Sequence, residues 1–325
     1  MRSAAMRIAF LVAGSLGLGL TAAATAQSYP VKPVRIVVPS APGGGQDIVA
    51  RAMGQKFSEA WGQQVYAENR PGAGGNIAAD VVARAASDGY NILLTTAALA
   101  IAPSLYRKLS YDPVNGFIPV TQVMSTYLVL VVHPSLPGTV KELVAHAKAN
   151  PGKLNYYHFG LGSGLHLTGE MFRAAANIDF TNVIYKGDGD AVPALLRNEV
   201  QMSFLNPAAS VAHVRAGKLR ALAVSGTARG SIFPDVPTMA ELGYPDVNYV
   251  GYIGLFVPAG TPRDIVNKIS NETIRTVRMP DINDKMPLWG GDGAGTTPEA
   301  FAAKFKEDIA RYAKVIKMAN VPPAD

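Results

Sequence analysis

Two glycine-rich loops are the strongest candidates for chemistry in this 325-residue sequence. Gly43, Gly44 and Gly45 lie between an apolar strand pattern and a helical pattern that starts near Asp47. Glycines let the backbone approach a ligand closely, and a helix N-terminus presents free amides with a partial positive charge. The pattern predicts an anion site, with a plain turn in which Asp47 only caps the helix as the alternative.

The second loop, residues 160–164, repeats this arrangement in the other half of the chain. Ser163 offers a hydroxyl, and His166 falls within the first helical turn after it. The spacing is not the G-x-G-x-x-G of dinucleotide sites, and Leu161 breaks the G-x-S-x-G pattern of hydrolases. His166 is a candidate ligand contact or a structural histidine.

Two further polar positions follow apolar strand patterns. Lys186 and Gly187 come after the pattern at 182–185, where the lysine faces an anionic ligand or lies solvated on the surface. Asn206 ends the pattern at 201–205, where it is a ligand contact or an ordinary turn residue.

No catalytic or metal-binding constellation accompanies these positions. None of the five histidines forms H-E-x-x-H or a similar metal spacing: His133, His146, His158, His166 and His213. Ser163 and His166 would share one short turn with no identifiable third group to orient them. With no P-loop either, we expect a protein that is not an enzyme and that uses no cofactor or metal.

The elements that would position these loops read as alternating strands and helices. Strand patterns at 34–38 and 65–68 are each followed by a glycine loop and a helical pattern, and Asp88-Gly89 turns into a third strand pattern at 90–96. This succession favours a parallel α/β architecture. Thr139 with Glu142 forms a capping box, and Thr261 and Thr297 each precede a proline expected at the first helical position. With no flexible linker visible, the apolar segments 124–132 and 249–257 are the expected crossings between two lobes.

Composition points to an exported globular protein. Arg2 and Arg7, an apolar stretch at 8–20 and Ala24-Thr25-Ala26 predict a signal peptide cleaved after Ala26. The chain has no cysteine and a net charge of +6, which suits anionic solutes slightly. No dense Lys/Arg cluster with interleaved aromatics is present, so nucleic acid is not an expected partner.

Motifs spread over the whole mature chain carry a family resemblance. They include Ala41-Pro42-Gly43-Gly44-Gly45-Gln46-Asp47, Asn69-Arg70-Pro71-Gly72-Ala73-Gly74-Gly75-Asn76, Asp88-Gly89-Tyr90, Tyr185-Lys186-Gly187, Pro234-Asp235-Val236-Pro237-Thr238 and Pro258-Ala259-Gly260-Thr261-Pro262. In this order they resemble the Bug-type extracytoplasmic solute receptors of tripartite tricarboxylate transporters.

The resemblance implies a two-lobed periplasmic-binding-protein fold of type II, with a ligand cleft between the lobes. It places lobe 1 at 27–124 plus 252–325 and lobe 2 at 125–251. It implies a periplasmic monomer that binds a small carboxylate, aromatic or not, and delivers it to membrane permease subunits. The implied ligand contacts are Ser40, Pro42, Gly43, Gly44, Asp47, Thr95, Thr96, Ala97, Ser163, His166, Lys186 and Gly187. The residue pattern itself adds His158, Phe159 and Asn206 as candidates.

Two departures from the family pattern bear on the ligand. Many relatives have an aspartate where this chain has Asn206, which makes ligands with an ammonium group less expected. Tyr157, His158 and Phe159 replace small residues before the second glycine loop, where their rings either line the cleft or pack into the lobe. A receptor that feeds a sensor and an exported enzyme on a carboxylate are the alternatives, and genomic neighbours would separate the first from a transport receptor.

Overall fold

Two β-sheets organise the part of the chain that the computed structural model describes, residues 29–185 and 187–324. The first sheet has the strand order β11-β4-β10-β3-β1-β2. Its strands are β1 Val34–Val38, β2 Val65–Asn69, β3 Asn91–Thr96, β4 Phe117–Thr126, β10 Gly251–Pro258 and β11 Gly291–Gly293. β1 pairs in parallel with β2 and β3, whereas β10 runs antiparallel to β3 and β4.

The second sheet has the strand order β7-β6-β8-β5-β9. Its strands are β5 Val129–Val132, β6 Asn155–His158, β7 Thr181–Ile184, β8 Met202–Leu205 and β9 Arg220–Val224. β6 pairs in parallel with β7 and β8, and β5 runs antiparallel to β8 and β9. The sheets and the helices packed on them form two lobes of α/β architecture, as the sequence predicts.

Helices connect the strands in both lobes. They are α1 Gly45–Trp61, α2 Asn76–Ala83, α3 Ala98–Leu105, α4 Val140–Ala149, α5 Gly164–Ala176, α6 Asp188–Leu196, α7 Pro207–Arg215, α8 Arg263–Val277, α9 Pro280–Asn283 and α10 Pro298–Met318, with short 3₁₀ turns at Ala73–Gly75 and Pro287–Trp289. Within the described ranges, none of these helices combines the length and apolar composition that a membrane crossing needs. The predicted signal peptide lies outside the described residues.

The central strands of the first sheet are buried on both faces. Ile36 and Val38 of β1 belong to a core shared with α1 and α8, while Val37 between them belongs to a second core. Such burial is typical of parallel strands covered by helices on both sides. The second core continues into the other lobe, where it includes Phe172 and Phe204, so the lobes share packed apolar contacts.

The chain passes between the lobes through structured segments. Only Tyr127 and Leu128 separate β4 from β5, and both are buried. On the return, Gly251 at the start of β10 pairs with Thr126 at the end of β4, so the two passages lie side by side. The second segment expected to cross, 249–257, is therefore mostly a strand of the first sheet.

One of the two caps predicted at a Thr-Pro pair is wrong by a residue. Thr297 does cap α10, accepting a hydrogen bond from the backbone N–H of Ala300 at 3.3 Å. Pro262, however, is the N-cap of α8 rather than its first helical residue. The Thr261 hydroxyl instead donates to the carbonyl oxygen of Pro258 at 2.8 Å, because the tight turn after β10 supplies a nearer partner.

Candidate ligand cleft

The first glycine loop, residues 40–46, is held in place by the carboxylate of Asp47. Asp47 is only 2% exposed, and its Oδ2 accepts from the backbone N–H of Gly43 at 2.8 Å and from Arg51 Nε at 3.0 Å. Its Oδ1 accepts from Asn69 Nδ2 at 2.9 Å. Asp47 thus lies inside α1 and fastens the loop that precedes the helix, rather than capping the helix itself.

The charged form of Asp47 is favoured by these partners. Burial raises the pKa of this carboxyl, but the hydrogen bonds from Arg51, Gly43 and Asn69 together outweigh burial and lower it. The loop needs a glycine at position 43, because Gly43 has a left-handed conformation with a φ of +81°. Gly44 is the N-cap of α1 with φ −71°, and no side chain caps this helix, so its first amides remain available to a ligand.

The second glycine loop, residues 160–164, is held by two neutral imidazoles. Nδ1 of His158 accepts from the backbone N–H of Gly160 at 3.0 Å, and Nδ1 of His166 accepts from Gly162 at 3.3 Å. Both rings therefore carry their proton on Nε2. The ring centroids are 4.6 Å apart, and the side chains are 1% and 4% exposed.

Burial is the main cause that lowers the pKa of His158 and of His166 to about 4. Ser163 caps α5, accepting from the backbone N–H of His166 at 3.3 Å while its hydroxyl donates to the Gly160 carbonyl at 2.8 Å. The two histidines thus shape the loop from within the lobe, which is the structural role that the sequence left open for His166.

A cavity of about 370 Å³ lies between the lobes and is bordered by both glycine loops. Its described lining contains no charged residue: Gln46, Gly74, Thr96, Ala98, Ile101, Leu105, Tyr106, Phe159, Leu161, Gly162, Ser163, Gly164, Leu165 and Tyr249. Three of the residues predicted as ligand contacts, Thr96, Phe159 and Ser163, meet here.

Three helix N-termini converge on this cavity. Gln46 lies in the first turn of α1, Ala98 begins α3, and Gly164 begins α5. Each N-terminus presents backbone amides and a partial positive charge, so together they favour an anion without any cationic side chain. Oε1 of Gln46 is buried and has no hydrogen-bond partner among the described residues, so it is free to meet a donor on a ligand or a water.

Comparison with known proteins decides the family. Residues 49–321 match the model of the tripartite tricarboxylate transporter family receptor. The chain is 34% identical to protein BugT of Bordetella pertussis over 302 residues, 92% of this chain and 93% of BugT. The chain belongs to this receptor family.

Solved structures agree with that assignment. A Rhodopseudomonas palustris protein solved with adipate is 32% identical, with a TM-score of 0.81 over 91% of this chain and all of that one. MatC from Rhodopseudomonas palustris with bound malate is 30% identical, with a TM-score of 0.76 over 89% of this chain and all of that one. This receptor therefore shares the fold of periplasmic solute-binding proteins along nearly its whole length.

Of the other residues predicted as ligand contacts, those that the structure describes do not line the cavity of this receptor. Four of them lie in the first loop: Ser40, Pro42, Gly43 and Gly44. Asp47 follows the loop in α1, and Gln46 is the residue of this region that lines the cavity. At the end of β3, Thr96 lines the cavity, while its neighbours Thr95 and Ala97 are buried at 4% and 0% exposure.

Asn206 and Gly187 have structural positions in the second lobe. Asn206 caps α7, its Oδ1 accepting from the backbone N–H of Ala208 at 3.0 Å, and its side chain packs against Gly290 of the first lobe. Gly187 is the N-cap of α6. Lys186 lies outside the described residues.

Several lining residues escaped prediction from the sequence. Ile101, Leu105 and Tyr106 come from α3 and its end, and Tyr249 comes from the segment before β10. Gln46 had a signal, because it follows the glycines directly at a helix start. The others read as ordinary apolar positions, and only the meeting of the lobes brings them to the cavity.

The rings before the second loop divide between core and cavity. Phe159 lines the cavity, whereas Tyr157 and His158 are 0% and 1% exposed inside the lobe. No group of three or more His, Cys, Asp or Glu residues suited to a metal ion occurs in the described ranges.

Proposed function

We propose that this receptor binds a small carboxylate in the cavity between its lobes and delivers it to the permease subunits of a tripartite tricarboxylate transporter. The observation that carries this proposal is the convergence of the N-termini of α1, α3 and α5 on a cavity with no charged residue in its described lining. A carboxylate there would meet amides and helix dipoles from both lobes.

The size and lining of the cavity support a small solute. Its volume of about 370 Å³ lies at the low end of the roughly 300–1,000 Å³ typical of small-molecule pockets. The relatives solved with adipate and malate hold carboxylates of this size class. Apolar groups from Ile101, Leu105 and Phe159 would surround the carbon chain.

We also propose where this receptor acts, its oligomeric state and the bounds of its lobes. The receptor is exported, cleaved after Ala26, and acts as a monomer in the periplasm without catalysing a reaction. Its lobes comprise residues 27–124 plus 252–325 and residues 125–251. The direct connection through Tyr127 and Leu128, and the pairing of Gly251 with Thr126, support hinges at these two passages. The ligand contacts include Thr96, Phe159 and Ser163, with the predicted loop residues behind them.

Titration calorimetry of the mature protein with mono-, di- and aromatic carboxylates tests the proposal. At least one should bind, and Gln46→Ala should weaken binding about tenfold, since a polar contact in a buried site is lost. Gln55→Ala is the matched control, because Gln55 is an exposed glutamine of the same helix that bonds Glu59. If no carboxylate binds, the proposed function is wrong.

A further inference from the structure

A second cavity, of about 280 Å³, lies next to the segment that carries Tyr249. It is lined by residues of α5, of the segment 245–248 and of α10, so both lobes contribute to it. Its described lining shares no residue with the cavity that the glycine loops border, the ligand cavity. Asn248 belongs to one lining and Tyr249 to the other, so a single segment of chain runs between the two spaces. We call the second space the rear cavity.

Arg311 of α10 fixes the segment between the two cavities. Its Nη1 donates to the backbone carbonyl oxygen of Asn248 at 3.1 Å, and its Nη2 donates to Oδ1 of Asp308 at 2.7 Å. The ring of Tyr312, the next residue of the helix, lies 6.1 Å from the ring of Tyr249. These contacts hold the segment against α10, so the rear cavity has a wall that is fastened by hydrogen bonds and ring packing.

The lining of the rear cavity is apolar where it is most buried. Met171 of α5 and Val315 of α10 are 2% and 7% exposed, whereas Met318 is 47% exposed. Methionine side chains are flexible and polarisable, and they adapt to apolar groups of different shapes. The inner part of the rear cavity therefore suits an aliphatic or thioether group of a ligand.

The more exposed lining carries two opposite charges. Asp246 and Lys314 are both exposed, and no hydrogen bond or ion pair joins the side chain of either to another described residue. Oδ1 of Asn248 is buried and also lacks a partner among the described residues. A ligand ammonium group would find acceptors at Asp246 and Asn248, and a ligand carboxylate would find a cation at Lys314.

The balance of charge favours a zwitterion over a simple acid or amine. Arg311 is already paired with Asp308, so the unpaired charges of the lining are one anion and one cation. A fatty acid would leave Asp246 without a partner, and an alkyl amine would leave Lys314 without one. The volume lies just below the roughly 300–1,000 Å³ typical of small-molecule pockets, which suits a single amino acid better than a peptide.

We propose that the rear cavity is a second binding site, which takes a free amino acid with an aliphatic or thioether side chain, such as leucine or methionine. The side chain packs against Met171 and Val315, and the two charged groups lie at Asp246 and Lys314. This inference goes beyond the proposed function and does not depend on it, because the carboxylate that is delivered to the permease binds in the ligand cavity.

Calorimetry of the mature protein with leucine and matched analogues tests the inference. The analogue 4-methylpentanoate lacks the ammonium group, 3-methylbutylamine lacks the carboxylate, and alanine lacks most of the side chain. Leucine should bind at least about fivefold more tightly than each analogue, because each of them loses one set of contacts.

Variants of the lining locate the site. Asp246→Asn and Lys314→Gln should each weaken leucine binding at least about threefold, and both changes are at exposed positions that the fold tolerates. Lys317→Gln is the matched control, because Lys317 is an exposed lysine of the same helix outside the lining. Gln46→Ala, a change in the ligand cavity, should also leave leucine binding unchanged.

The outcomes of this experiment separate the two cavities. Leucine binding that is weakened by Gln46→Ala but unchanged in Asp246→Asn and Lys314→Gln would place leucine in the ligand cavity and overturn the inference. Failure of both leucine and methionine to bind, or equally tight binding of an analogue, would overturn it as well. None of these results contradicts the proposed function, which is tested by the carboxylate titrations.

Discussion

The two glycine loops of the cleft look alike in sequence but are fastened by opposite chemistry. The first loop, residues 40–46, is held by the charged carboxylate of Asp47, which gathers three donors. The second loop, residues 160–164, is held by His158 and His166, whose neutral rings accept from loop amides. In both lobes the side chains that fasten the loop, Asp47 in one and His158 and His166 in the other, are buried and do not belong to the described lining of the cavity.

The difference shows how the cavity stays free of charge while its loops stay ordered. The carboxylate of Asp47 is balanced by Arg51, and neither residue belongs to the described lining of the cavity. In the second lobe, the imidazoles of His158 and His166 hold the loop as neutral groups, so no charge has to be balanced there. The second loop also approaches the opposite lobe closely, because a Cβ at Gly162 would overlap the side chain of Leu105.

The largest expected effect is on acid stability, and it should arise from the second loop. The folded-state pKa of His158 and His166 is about 4, below the ordinary 6.5. Between these values the unfolded chain binds protons that the folded chain does not, so the free energy of unfolding falls as pH drops. The loss should reach on the order of 3 kcal/mol per ring. Denaturant titrations between pH 7 and 4 measure it.

Charged side chains lie next to the histidine pair, so a control must show that the acid sensitivity comes from the two imidazoles. Glu170 lies 4.0 Å from Nε2 of His166, and Arg173 on the same helix opposes protonation. Exchanging both His158 and His166 for Asn keeps an acceptor but removes the titration, and should flatten the slope. His146→Asn, a change at a partly exposed histidine of α4, should not. A slope that survives the double exchange would place the acid sensitivity elsewhere.

The first loop should show the next largest effect, on stability at neutral pH. Asp47→Ala leaves the Gly43 amide without its acceptor and removes one of the two acceptors of Asn69 Nδ2, so it should cost about 2–4 kcal/mol in chemical unfolding. Asp80→Ala is the matched control, because Asp80 also pairs with an arginine four residues later, Arg84, but is partly exposed. It should cost less than about 1 kcal/mol. Equal losses would mean that Asp47 does not fasten the loop.

A pair of glycine variants tests whether the second loop must approach the first lobe. Gly160 and Gly162 both have positive φ, +104° and +76°, so an alanine is strained at either position. Only at Gly162 would the added Cβ meet Leu105 across the cleft. Gly162→Ala should therefore weaken carboxylate binding about tenfold more than Gly160→Ala, as measured by calorimetry. Equal affinities would show that the contact with Leu105 is not needed in the bound state.

The smallest effect is expected at Asn206, which lies outside both loops. Asn206→Ala removes the cap of α7 and should lower the free energy of unfolding by about 1 kcal/mol, whereas Asn206→Asp should stay within about 0.5 kcal/mol. Thermal unfolding at neutral pH distinguishes the two. A loss of carboxylate affinity in Asn206→Ala without any loss of stability would show that Asn206 contacts the ligand rather than only capping α7.

The sequence predicted the positions of both loops because glycines, strand endings and helix starts are local signals. It did not predict the role of Asp47, because Asn69 lies 22 residues away and meets it only after β1 and β2 pair. The orientation of the rings in 157–159 depends on the pleat of β6, which residue types alone do not fix. Leu105 and Tyr249 reach the cavity only through the meeting of two lobes.

The most direct test of the central claim is the distance between the lobes with and without a carboxylate. The chain has no cysteine, so Tyr66→Cys on the outer strand β2 and Ile184→Cys on the outer strand β7 would accept spin labels at exposed positions. A saturating carboxylate should shorten and narrow the distribution of label distances as the lobes close on it. An unchanged distribution with a carboxylate shown by calorimetry to be bound would contradict binding between closing lobes.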